Sequence, residues 1–103
     1  MFFLITGRDG KDDNALERRQ ESRPAHLDCC EKLKKEGFML FGAALLDDQG
    51  RMVGSVIVVQ AENREAVDHY LAKEPYVLGK VWVDIEVQPI AVGNLFLPEA
   101  MRV

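Results

Sequence analysis

The segment Ser22-Arg23-Pro24-Ala25-His26-Leu27 holds one of only two histidines in the chain. Pro24 suits the first turn of a helix, where its missing N–H costs nothing, and Ser22 can help to cap that helix end. A histidine in a first turn lies near the positive end of the helix dipole, which favours the neutral imidazole that accepts a proton near pH 7. The sequence therefore indicates His26 as a general base, although a histidine placed there is more often a surface or capping residue.

A carboxylate much later in the chain could serve that histidine. Glu74 precedes Pro75, and a residue before proline is biased toward an extended backbone, so this carboxylate is held at a sharp corner. A carboxylate beside a histidine orients the ring and stabilises its protonated form, and such acid–base catalysis contributes about 10²–10⁴-fold. From spacing alone, Glu74-Pro75-Tyr76 fits a simple helix stop better than a catalytic position. The other histidine, His69, falls on the polar face of a predicted helix and is expected to be solvated.

Four further side chains are candidate substrate contacts. Arg23 and Arg8 could anchor an anionic substrate, because a guanidinium binds carboxylates in bidentate geometry. Ser55 could offer a hydroxyl to the same pocket. Tyr76 is the fourth candidate substrate contact. The chain has no Gly-X-Ser-X-Gly motif, phosphate-binding glycine loop or metal-ligand signature. We therefore expect no metal and no cofactor, and nucleophilic and phosphoryl-transfer mechanisms are poorly supported.

Composition restricts the class of protein. The 103 residues carry a net charge of −4, a sequence pI of about 5.1 and 48% hydrophobic residues. One domain is expected, with enough apolar material for one core. The acidic balance argues against a nucleic-acid partner, and the apolar runs are too short to span a bilayer. The adjacent Cys29 and Cys30 have no other cysteine to pair with, which favours a cytoplasmic location and ordinary helix residues, one facing inward.

Hydrophobic periodicity and turn signals predict the element order β-α-β-β-α-β. Strands are predicted at 2–6, 38–46, 51–60 and 80–90, and helices from 22 to about 36 and from 63 to about 74. The polar stretch Arg8–Glu21 is expected to be a long connection with one weak helical turn at Ala15–Arg19, either a wall of the site or a mobile loop. The order is that of the ferredoxin-like α+β fold, a four-stranded antiparallel sheet with two helices on one face.

Details of the strands extend this prediction. Gly42, inside the second strand, is interpreted as a bulge or a close backbone approach. In the last strand, Val81, Val83 and their alternate neighbours form one face and Trp82 belongs to the other. The strands carry apolar residues on both sides, so pairing two sheets face to face in a homodimer would cover the face without helices. The tail 93–103 either packs on a neighbouring subunit or trails.

Several motifs together resemble the YCII-related (YciI-like) family, within the dimeric α+β barrel superfamily. The matching segments, in order, are Arg23-Pro24-Ala25-His26-Leu27, Gly42-Ala43-Ala44-Leu45-Leu46-Asp47-Asp48-Gln49-Gly50, Gly54-Ser55, and Glu74-Pro75-Tyr76 with Gly79. The resemblance covers residues 1–92, which we take as the domain. It implies a bacterial protein, usually a dimer, with an active site formed by His26 and Glu74. The sequence departs from the family twice, with Glu74 where Asp is usual and Ala43 where proline is common.

Two functions remain open. The first is a cofactor-independent lyase or isomerase that acts on a small, cyclic and anionic molecule, with His26 as base and Glu74 as its partner. A few relatives in this family are associated with elimination of halide from ring compounds. The second is a non-catalytic module that binds a small molecule in the same pocket.

Overall fold

The computed structural model describes residues 1–103 and contains one four-stranded sheet and three helices. The elements are β1 (Phe2–Asp9), α1 (Ala15–Lys35), β2 (Met39–Leu46), β3 (Met52–Gln60), α2 (Arg64–Leu71), α3 (Pro75–Leu78) and β4 (Trp82–Ile90). All neighbouring strands are antiparallel, and their order across the sheet is β2-β3-β1-β4. This is the ferredoxin-like α+β fold, so the predicted fold class is confirmed.

The hydrophobic core lies between one face of the sheet and the helices. Alternate residues of the two central strands are buried, including Phe3, Ile5 and Ile57, and they pack with Val67 of α2. The period-2 burial of β1 and β3 is the pattern that a half-covered sheet requires. The core holds the helices against the strands and so fixes the frame of the site.

The first helix is much longer than predicted, because the polar stretch before Ser22 is its first half rather than a loop. α1 begins at Ala15 and contains Pro24 in its interior. A proline there has no N–H to donate to the carbonyl one turn earlier. The lost hydrogen bond destabilises a helix, so an interior proline is normally read as a sign that no helix passes through it. What anchors the early turns is Arg19, which is 2% exposed and forms a buried ion pair. The early turns bury only Ala15 and the polar Arg19, so hydrophobic periodicity gives little sign of them.

A β-bulge changes the predicted facing of Trp82 and Val83 at the start of the last strand. Arg8 pairs with Asp84 and Asp9 pairs with Trp82, which leaves Val83 as an extra residue in β4. The bulge turns Trp82 inward, where it is 4% exposed, and leaves Val83 65% exposed. The prediction that the alternation continues unbroken from Val81 is therefore wrong at this position.

The interpretation of Gly42 also needs correction. Register shifts in β2 lie between Met39 and Phe41 and between Leu45 and Leu46, so no bulge occurs at Gly42, which pairs with Ile57. A Cβ built on Gly42 would meet no atom within 4 Å. The glycine faces open space rather than a close backbone approach.

The second sheet face carries no helix. Leu4, Val56 and Val58 are half-buried on it, and Phe41 is 58% exposed. After β4 the chain forms two short turns at Asn94–Phe96 and Glu99–Met101 that leave Leu95 and Phe96 exposed. No helix of the structure combines the length and apolarity needed to cross a bilayer.

Candidate active site

The two predicted acid–base residues, His26 and Glu74, are in direct contact. Glu74 is the N-cap of α3, with the extended backbone predicted before Pro75 (φ −66°, ψ 125°). One of its oxygens, Oε1, contacts Nδ1 of His26 and accepts the Tyr76 N–H at 3.1 Å. The glutamate side chain is thus long enough to reach the histidine from this corner.

Both side-chain oxygens of Glu74 have hydrogen-bond partners. The side chain is fully buried, and its second oxygen, Oε2, accepts the hydroxyl of Tyr70. Burial and the adjacent Glu74 charge raise the pKa of Tyr70, so the phenol remains a proton donor. Because hydrogen-bond donors approach both oxygens, a buried charge here is compensated.

This contact assigns the tautomer of His26. An ionised carboxylate can only accept, so Nδ1 must carry the proton that is donated to Glu74. In the neutral ring the other nitrogen, Nε2, then holds a lone pair. In this tautomer the basic atom of the ring is Nε2.

Two groups besides Glu74 contact the imidazole ring. The Tyr76 ring stacks on it with a centroid separation of 3.8 Å and an interplanar angle of 12°. The Cys30 sulfur lies 3.4 Å from Nε2 and 3.9 Å from Nδ1. A sulfur on the axis of the Nε2 lone pair would lie much farther from Nδ1 than from Nε2, so these similar distances place it off that axis.

The helix-dipole argument for His26 is wrong. His26 lies in the interior of α1, well past the first turn that begins at Ala15. The dipole acts mainly within the terminal turns, so it has little effect at this position. What orients the ring is instead its contact with Glu74.

A cavity of about 490 Å³ lies between α1 and the strands β2 and β3. It is bordered by seven residues of α1, among them Arg19, Arg23, His26 and Cys30, by Tyr76, by Met52, Ser55 and Ile57 of β3, and by the β2 residues from Met39 to Ala44. On the β2 side, Gly42 and Ala44 pair with helix-facing residues of β3 and carry little or no side chain. These small residues create the space opposite His26.

The structure also reveals a buried polar cluster that our sequence analysis missed. Arg19 Nη1 donates to both oxygens of Asp9 at 2.9 and 3.0 Å, and Nη2 donates to the Ser55 hydroxyl at 2.9 Å. Both charged side chains are 3% exposed. Burial raises the pKa of Asp9, against the opposite effect of Arg19. The arginine also lies over the Tyr76 ring, 4.7 Å from its centroid.

A signal for Arg19 does exist in the sequence. Positions 19, 23, 26 and 30 follow the spacing of one helix face, so extending the helix back from His26 leads to Arg23 and then to Arg19. The assumption that Pro24 marks the helix start concealed this pattern. Arg19 thus occupies the site that the prediction assigned to another arginine.

The predicted substrate contacts divide into two groups. Arg23, Ser55 and Tyr76 border the cavity, and Arg23 is exposed. Arg8 does not border it, because Arg8 is exposed on β1 between the inward-facing neighbours Gly7 and Asp9. Our expectation for Arg8 is therefore corrected. No group of three His, Cys, Asp or Glu side chains is arranged to hold a metal ion.

Cys30 gives a prediction for alkaline stability. Burial and the Glu74 charge raise the pKa of its thiol from 9.0 to about 12. Between these values the unfolded thiol loses its proton while the folded one keeps it, so the folded state binds more protons and stability falls as pH rises from 9 to 12. Cys30→Ala should flatten this fall in urea-unfolding free energies measured across that range. Cys29→Ala should change it less, and equal slopes for Cys30→Ala and wild type would contradict the assignment.

Comparison with known proteins agrees with this architecture. The chain is 30% identical over 95 residues to an uncharacterised protein of Haemophilus influenzae and to Protein YciI of Escherichia coli, covering 86% of this chain and 95% of each relative. It is similar in structure to 5-chloro-2-hydroxyhydroquinone dehydrochlorinase (TftG) from Burkholderia phenoliruptrix AC1100, solved in complex with 2,5-dihydroxybenzoquinone. That match has a TM-score of 0.78 and 25% identity, and covers 92% of this chain and 98% of TftG.

A more distant match shares the fold alone. It is an antibiotic biosynthesis monooxygenase, with a TM-score of 0.53 and 21% identity over 90% of this chain and all of the other. The model of the YCII-related domain matches residues 1–91. Nearly the whole chain is therefore covered by one family model, and the protein belongs to the YCII-related family.

Proposed function

We propose that this protein is an acid–base enzyme of the lyase or isomerase class that acts on a small cyclic anion. One observation carries the proposal. His26 borders a cavity, its Nδ1 contacts Glu74, and the Cys30 sulfur near Nε2 lies off the axis of the Nε2 lone pair. A base that is oriented by a buried carboxylate and open to a ligand is the arrangement that proton abstraction requires.

The proposed reaction begins when Nε2 of His26 removes a proton from the substrate. The electron pair left behind forms a new double bond, and in an elimination the leaving group departs with its bonding electrons. Glu74 stabilises the imidazolium that forms, because its charge lies against Nδ1–H. In an isomerisation His26 returns the proton to another atom of the substrate.

The cavity favours small anions. Its volume falls within the roughly 300–1,000 Å³ typical of small-molecule sites. Arg23 and Lys34 border it without an ion pair of their own. The similarity to TftG, solved with 2,5-dihydroxybenzoquinone, supports hydroxylated rings as the first class to test.

The test is chloride release from chlorinated hydroxyhydroquinones, together with binding of 2,5-dihydroxybenzoquinone followed by its visible absorption. Binding and release by the wild type would support the enzyme. Binding without any release would instead favour the non-catalytic module. Absence of binding would overturn the proposed substrate class.

Gly42→Leu supplies a variant that blocks the cavity. A side chain at Gly42 has open space before it, and glycine in a strand is about 0.5–1 kcal/mol less favourable than alanine, so folding should be unaffected or improved. The added leucine should fill the space opposite His26 and weaken probe binding at least 10-fold. Calorimetry and urea unfolding check the two halves of this prediction. Leu46→Ala, at an exposed β2 position outside the cavity border, serves as the control.

We also propose that the protein is a homodimer that pairs its helix-free sheet faces. Leu4, Val56, Val58 and Phe41 give this face an apolar character that a second sheet would bury. Light scattering at micromolar concentration should give twice the 11.6 kDa chain mass. Phe41→Lys should shift the mass toward the monomer, and a monomeric wild type would refute the dimer.

A further inference from the structure

The hydroxyl of Ser55 has a hydrogen-bonding direction that its neighbours impose. Arg19 Nη2 donates to the Ser55 oxygen at 2.9 Å, and the indole Nε1 of Trp82 donates to it at a longer 3.4 Å. Arginine and tryptophan side chains have no acceptor atom, so both contacts must use lone pairs of the serine oxygen. A hydroxyl has two lone pairs and one hydrogen. Both lone pairs are used by these contacts, so only the hydrogen still needs a partner.

That hydrogen has no acceptor within the chain. Ser55 makes only these two side-chain hydrogen bonds, both as acceptor. The residue is 3% exposed, yet it borders the cavity that contains His26. Buried donors in native proteins nearly always have a partner, so an unpaired one that faces a cavity indicates a ligand atom or a water.

A second buried donor in the same corner lacks an acceptor. Nε of Arg19 is buried without a hydrogen-bond partner, although both Nη atoms are paired. Arg19 also borders the cavity, and its side chain is 3% exposed. Two unpaired donors lie together here without an unpaired acceptor, so this corner of the cavity is suited to a ligand atom that accepts hydrogen bonds.

We propose that Ser55 is the donor to a proton-free oxygen of the substrate, a ring carbonyl or an oxyanion. The inference deepens the proposed function, on which it rests, by naming the substrate atom that the site recognises. Arg19 is the positioning residue, because its guanidinium fixes the serine oxygen and polarises the O–H bond. Asp9 in turn holds the guanidinium through both of its oxygens.

This role complements His26. When a base removes a proton from a carbon next to a carbonyl, negative charge develops on the carbonyl oxygen. The Ser55 hydroxyl, backed by a buried cation, would stabilise that charge without rearrangement. A ligand that presents a hydroxyl group as donor would instead leave the serine hydrogen unpaired.

The first test measures the carbonyl stretch of bound 2,5-dihydroxybenzoquinone by infrared difference spectroscopy. The wild type should shift the band to lower frequency, and Ser55→Ala should restore it and weaken binding roughly 10-fold. Ser22→Ala, a serine of α1 outside the cavity border, should match the wild type. An unchanged band and affinity in Ser55→Ala, with the wild type still binding, would overturn the inference and leave the proposed function intact.

The second test needs no ligand. Neutron diffraction from unliganded crystals in D₂O should show the Ser55 O–D directed into the cavity. An O–D directed at a protein acceptor would overturn the inference. If the probe fails to bind the wild type, the proposed substrate class fails, and the neutron result alone then decides the role of Ser55.

Discussion

His26→Gln is expected to lower substrate turnover about 10²–10⁴-fold while ligand affinity changes by no more than a few-fold. Glutamine keeps a polar side chain between Tyr76 and Cys30 but offers no basic nitrogen for the proton. The loss should therefore appear in kcat rather than in KM, since the group acts on the reacting proton and not on binding. Steady-state kinetics with the best substrate of the chloride-release screen measures both values.

Glu74→Gln separates orientation from charge. The amide oxygen can still accept Nδ1–H of His26, but it no longer stabilises the imidazolium, so kcat should fall by a smaller factor than in His26→Gln. His69→Gln is the matched control, because His69 is exposed on α2 and borders a different groove. Full activity of His26→Gln would remove the acid–base mechanism, and equal losses for His69→Gln would point to a general effect on folding.

The sequence predicts the sheet well because apolar side chains mark its strands. Alternating burial of Phe3, Ile5, Ile57 and Val59 follows from residue type, and turn residues such as Gly50, with φ +79°, mark the hairpin between β2 and β3. Element order then restricts the topology to the ferredoxin-like fold. These features depend on local pattern, which a single sequence contains.

The errors arise where tertiary contacts outweigh local pattern. The start of α1 is held by an ion pair between Arg19 and Asp9, and Asp9 lies on β1. Local sequence patterns cannot predict an ion pair between two different elements. The bulge at Val83 changes the facing of Trp82 without changing the alternation of residue types. For the site, family motifs pointed to His26 and Glu74. Arg19 was concealed by the assumption that Pro24 begins the helix, and its pairing with Asp9 and Ser55 is visible only in the structure.

Arg19→Met is expected to destabilise the folded state by about 3–5 kcal/mol near neutral pH, since removing one partner of a buried pair leaves the other charge uncompensated. Methionine roughly matches the length of the lost side chain, so little of the effect should come from a cavity. Urea unfolding at pH 8 measures the loss. Arg18→Met is the matched control, because Arg18 pairs with Asp12 in an exposed position and its loss should cost far less.

The pH dependence of the unfolding free energy of Arg19→Met shows whether the uncompensated charge is that of Asp9. Burial already raises the pKa of Asp9, and removing Arg19 abolishes both of the effects by which the arginine lowers it, so the pKa rises further. A carboxyl with a raised folded-state pKa favours folding when protonated, and that contribution is lost as pH rises through the folded pKa. The destabilisation of Arg19→Met should therefore shrink as pH falls toward the acid range.

Asp9→Asn in the Arg19→Met background tests whether the unpaired Asp9 carboxylate causes the loss of stability. The double variant carries no buried charge, so at pH 8 it should recover a large part of the lost stability and lose the pH dependence. A single variant with a small and pH-independent loss would mean that Asp9 is solvated or protonated in the folded protein. In that case a buried Asp9 carboxylate would not hold the Arg19 guanidinium in place, and Arg19 would not be the residue that positions Ser55.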